Sequence, residues 1–174
     1  MTEEESMDQF VWNDLWQIMK RAKVDSLCCL GYPDRVRKCK RFLTLCVVVI
    51  LILGCFVYFI KPEYTLYGSI VSAIIEILKE YTPAFIPKED NLKAIEKLAP
   101  RFEKILADAE EIKVKYSIRT EGVSNMDVQK KCSDFKVSLS KEEAKMNPLV
   151  RHIWFFENNK YNREAEKYLR SKYQ

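Results

Sequence analysis

The chain has 174 residues, of which 48% are hydrophobic and 31% charged, with 29 Lys and Arg against 25 Asp and Glu. So large an apolar share excludes a disordered chain, and so many charges exclude a wholly membrane-embedded one. With 4 Gly and 6 Pro, the composition also excludes collagen-like and low-complexity chains and supplies no glycine-rich phosphate loop.

Residues 1–41 open acidic, with Glu3, Glu4, Glu5, Asp8 and Asp14, which is wrong for a mitochondrial presequence. Val11, Leu15, Ile18, Met19 and Ala22 then recur at helical spacing, and Trp12 and Trp16 stand one turn apart. Acids at the start and Lys20, Arg21 and Lys23 at the end suit the helix dipole. The expectation is a short amphipathic helix that docks on another protein or lies in the plane of a membrane. Trp12 and Trp16 are its candidate partner-binding residues. Gly31 and Pro33 predict a turn or linker behind it.

That linker carries two features. Cys28 and Cys29, with Cys39 further on, are candidates for S-acylation beside a membrane. Arg35, Arg37, Lys38, Lys40 and Arg41 form a basic cluster that suits lipid headgroups and enforces topology.

Residues 42–60, FLTLCVVVILILGCFVYFI, contain no charge. As a helix they would extend roughly 28 Å, close to the thickness of a bilayer's hydrocarbon core. A single transmembrane helix is the expectation. A cleaved signal peptide is not, because the apolar run is too long and too far into the chain. From Lys20 to Arg41, eight cations face only Asp25 and Asp34, whereas Lys61 to Glu80 holds two cations against three acids. Basic residues stay on the cytoplasmic side, so the N-terminus is expected there. A single crossing would then put the C-terminal region on the far side, in the plasma membrane or an endomembrane.

Residues 61–87 hold a second apolar stretch whose charge-free part, 64–75, is short; Glu76, Lys79 and Glu80 interrupt its continuation. It either packs in the following domain, lies at the interface, or returns through the bilayer. The last alternative is a membrane hairpin with both termini in the cytosol.

Residues 88–174 read as helices throughout. Leu92, Ile95 and Leu98 mark a short one; Pro100 opens a longer one through Arg119, with Phe102, Ile105, Leu106, Ala109, Ile112 and Tyr116 along one face. A less regular stripe follows from Asn125 to Leu139. Ser140 and Glu143 match a capping box and predict a new helix start. Pro148 restarts a helix, and Asn158-Asn159 predicts its end before a charged terminal helix. The fold class is thus all-α: a single-pass anchor with a small C-terminal helical domain, part of whose core could be shared in a homo-oligomer.

Chemistry is sparse. Cys132 is the one cysteine beyond residue 55, which excludes a disulfide-stapled domain there. His152 is the single histidine, with no nucleophile signature beside it, and no metal-spaced cluster occurs. No catalytic, cofactor or metal site is expected. Trp154, Phe155 and Phe156 cannot all face one side of a helix, so they join the candidate partner surface. With no base-reading motif, nucleic acid is not an expected partner. The sequence therefore predicts a membrane-anchored accessory or scaffolding subunit that binds lipid and protein partners. Its alternatives are a lipid-shaping or pore-forming hairpin and a membrane-tethered enzyme.

Overall fold

The computed structural model describes the backbone of residues 3–60, 70–77, 86–117, 124–150 and 155–173, and the side chains of these except 3–8, 55–60, 155 and 156. All regular structure among the described residues is helical. Helix α1 spans Glu3–Ile60, α2 covers residues 70–77, α3 is Glu89–Glu96, α4 is Ala99–Ser117, α5 is Asn125–Met146 and α6 is Phe155–Tyr173. The all-α expectation holds.

The chain divides into two compact units. One joins Met1–Tyr32 to Lys93–Gln174, and the other is Pro33–Leu92. The first, the head, is a four-helix arrangement of the first half of α1 with α4, α5 and α6. Its core residues recur at spacings of three, four or seven, which keeps one face of each helix inward. Val11, Leu15, Ile18, Ala22 and Cys29 come from α1; Phe102, Leu106 and Ala109 from α4; Val128, Cys132, Leu139 and Met146 from α5; Tyr161, Ala165 and Leu169 from α6. Ion pairs seam the helices together: Lys136 to Asp14 at 2.6 Å, Arg101 to Glu142 at 3.1 Å and Lys172 to Glu110 at 2.6 Å.

Residues 1–41 were expected to stand apart as a cytosolic segment, with a separate domain at 88–174. The head instead takes residues from both ranges. The apolar stripe of α1 needs cover, and the stripes of α4, α5 and α6 provide it within the same chain.

Local expectations fail where core packing outweighs them. No turn forms at Gly31–Pro33, since α1 runs through with Pro33 inside it. Proline costs the helix one hydrogen bond, but Pro33 is fully buried, so its packing offsets part of that loss. Gly31 is needed for another reason: a Cβ there would overlap the Tyr161 hydroxyl of α6. Ser140 and Glu143 sit within α5 rather than at a helix start. The true N-cap is Ser124, whose hydroxyl accepts from the Met126 backbone N–H at 3.3 Å. Asn158-Asn159 lies inside α6, where Asn162 Nδ2 donates back to the Asn158 carbonyl at 2.8 Å. Helix α4 opens at Ala99, one residue before the expected Pro100 start, and the expected end at Arg119 lies outside the described residues.

Candidate functional site

The second unit holds the segment with the strongest chemical demand. Along α1, Phe42, Leu43, Leu45, Val48, Val49, Leu51, Ile52 and Leu53 are all exposed. At 100° per residue these positions cover every side of the helix, so no single packed face could bury them all. In water such a surface is strongly unfavourable. Among the described residues, no helix is long and apolar enough to cross a membrane; the described side chains of this run end at Gly54.

The basic cluster lies just before this surface, and its members differ. Arg37 pairs with Glu89 at 2.6 Å, and its Nε also donates to that carboxylate at 2.8 Å. Lys38 pairs with Asp34 one turn back at 2.9 Å. The Lys38 hydrogen bond and charge hold the Asp34 carboxyl below its usual range. Lys40 and Arg41 are exposed, and Arg35 is half-buried. The Lys40 carbonyl accepts from the Thr44 hydroxyl at 3.0 Å, which satisfies one polar group at the edge of the apolar run. The Arg37–Glu89 bond closes the unit on itself. Residues that lie 52 apart in sequence meet where the chain enters and leaves this unit.

The cysteine candidates separate by burial. Cys28 and Cys29 are 3% and 0% exposed in the head core, with the Cys29 thiol 3.5 Å from the Met146 sulfur. Burial, with smaller contributions from Cys28 and Asp25, pushes the Cys29 thiol up to about 12. Both thiols are buried in the folded head, on a continuous helix where a linker was expected. Cys39 is exposed beside the apolar helix.

Trp12 and Trp16 are half-buried and face α4. The Lys113 ammonium lies 5.1 Å and 5.0 Å from their ring centroids and 3.6 Å from that of Tyr173. Trp12 also meets Tyr116 edge-on at 6.0 Å. Lys113 is 5% exposed, and burial lowers its pKa against a smaller opposing pull from Glu110. Cation–π contact with three rings compensates an ammonium that has lost most of its water. Trp154 lies outside the described residues, as do the side chains of Phe155 and Phe156.

A second polar pair went unnoticed in the sequence. Asp25 of α1 lies within the influence of Glu143 of α5, and Arg21 pairs with the same glutamate. Burial is the largest cause, and the Glu143 charge the next, in raising Asp25 to about 7. A signal existed for both surprises: Lys113 continues the 102, 106, 109 phase of α4, and Asp25 neighbours the buried phase of α1. Polar residues in a core phase mark buried polar contacts. Among the described residues, no group of His, Cys, Asp or Glu could hold a metal ion. No family model, no curated protein and no solved structure matches this chain.

Proposed function

We propose that the protein is a membrane-anchored helical scaffold, held by a hairpin that begins with residues 42–60 and carrying its four-helix head on one side of the bilayer. The observation that carries this reading is the closure of the second unit. Its chain enters near Arg37 and leaves near Glu89, and these two residues are bonded. Chain from both sides of the apolar run, Met1–Tyr32 and Lys93–Gln174, builds one head. A strict single crossing would divide those parts between two compartments, so the hairpin is the better-supported topology.

Further support comes from the uncharged run. The backbone is helical to Ile60, and the described apolar side chains face outward in all directions. A helix that is apolar on every side is stable inside a bilayer or a large core. Of residues 64–86, expected as the returning limb, 70–77 are helical with Ile70, Ile74 and Ile77 exposed, and 64–69 and 78–85 lie outside the described residues. Glu76 and its neighbouring charges make that limb the weaker one and favour its close association with the first. Lys40 and Arg41 would meet anionic headgroups, with Cys39 next to them in the chain as the accessible thiol. The head supplies the binding surface for protein partners.

Topology tests the reading directly. Epitope tags at the two termini of the full chain, probed by protease in sealed membranes, should be cleaved together or protected together. Opposite protection of the two tags, or extraction of the protein by alkaline carbonate, would refute it.

A further inference from the structure

The head contains a cleft of about 500 Å³ between α1, α5 and α6, within the size range of small-molecule sites. Its apolar lining is Ile18, Val24 and Leu139. Its cations are Lys20, Arg21 and Lys136. Gln17, Asn158 and Asn162 add carboxamides, and among the described residues no carboxylate lines the cleft. We infer that this cleft binds a phosphate-headed amphiphile, its anionic head among the three cations and its first carbons on Ile18, Val24 and Leu139.

The charges that line the cleft favour an anion. Each cation does have a carboxylate partner, but Glu166, Glu143 and Asp14 all lie outside the lining. Glu166 is shared, holding Arg170 at 2.7 Å and Lys20 only at 3.4 Å. Glu143 pairs with Arg21. An ammonium has three donors and a guanidinium five, so one partner leaves most of them for a ligand. Asn162 Nδ2 donates to both the carbonyl and Oδ1 of Asn158, at 2.8 Å and 3.1 Å, which commits acceptors rather than donors of Asn158. Three cations lining one cleft together with amide donors suit the several oxygens of a phosphate. The apolar floor separates this site from a plain anion patch, since inorganic phosphate would leave Ile18, Val24 and Leu139 uncovered.

This inference does not rest on membrane topology, because every lining residue belongs to the head. The test uses the full chain in nanodiscs of zwitterionic lipid, titrated calorimetrically with hexyl phosphate. Saturable binding is expected, with hexyltrimethylammonium giving none and inorganic phosphate binding about 10-fold more weakly or worse. Lys20→Gln and Lys136→Gln should each weaken hexyl phosphate about 10-fold, while Lys136→Arg and the control Lys104→Gln, exposed on α4 outside the lining, retain it. Melting curves without ligand verify that each variant is folded. Competition by phosphatidic acid placed in the nanodisc would assign the bilayer as the ligand's source; undiminished binding would assign a free amphiphile. No saturable binding, equal binding of the cationic analogue, equal binding of inorganic phosphate, or unchanged affinity in the folded glutamine variants would each overturn the inference.

Discussion

Asp25 and Glu143 place two carboxyls within each other's influence across the α1–α5 seam, and only one of them can be charged there at low cost. The folded-state value of Asp25, about 7, lies above its unfolded value near 3.8. Folding therefore favours the protonated form. The stability this contributes is complete below pH ~4 and is lost as pH rises through 7. Asp25→Asn keeps a neutral polar side chain without the titration. It should flatten the pH dependence of the melting temperature between pH 5 and 8, and stabilise the head at pH 8 by on the order of 1–4 kcal/mol. An unchanged slope in thermal melts would show that Asp25 does not titrate in this window. Gly31 is a steric counterpart. Gly31→Ala forces its methyl into the Tyr161 hydroxyl and should cost about 1–3 kcal/mol in denaturant unfolding. Adding Tyr161→Phe removes the overlapping oxygen and should recover part of that loss; an additive double variant would place the damage elsewhere.

At the scale of the element, α5 separates what a motif suggests from what a helix end requires. Ser140 and Glu143 have capping-box spacing, yet both are helical interior, and Ser124 caps the helix instead. Ser124→Ala should cost about 0.5–2 kcal/mol. Ser140→Ala should be neutral or gain a few tenths, about 0.3 kcal/mol, because alanine is the better helix former. Equilibrium unfolding of the two variants checks the ordering. Helix α1 makes the same distinction at greater length. Gly31 and Pro33 carry turn chemistry, but Tyr161 packs on the first and the second is buried, so tertiary contacts keep the helix continuous. The apolar phases of α1, α4 and α6 were legible because burial of one stripe imposes a period of 3.6 on the sequence. Helix boundaries were less so, since a cap contributes about as much as a few side-chain contacts.

For the whole molecule, the two-unit division predicts separability. Replacing Pro33–Leu92 by a flexible linker of about 15 glycine and serine residues should leave the head folded, because its core residues come from Met1–Tyr32 and Lys93–Gln174. Helical circular dichroism with a cooperative thermal transition would confirm this; a chain with no cooperative melt would mean that the head needs the second unit. Of the candidate site, the basic cluster and the uncharged run were visible from the start, since both are features of composition along the chain. The Arg37–Glu89 closure was not, as no local rule pairs residues 52 apart. Nor was the burial of Cys28 and Cys29, which follows from the continuation of α1 beyond the expected linker.

The sequence alone determined that this protein is helical, that residues 42–60 carry no charge, and that cations precede them. Those properties depend on residue type and short-range spacing, which are written in the chain order. Only the tertiary structure decided that the N-terminal Trp helix belongs to the same head as α4, α5 and α6. Amphipathic stripes announce that they need a partner but carry no address for it. Which stripe covers which is settled by the joint packing of Leu15, Phe102, Leu139 and Leu169, residues drawn from four helices and from both ends of the sequence.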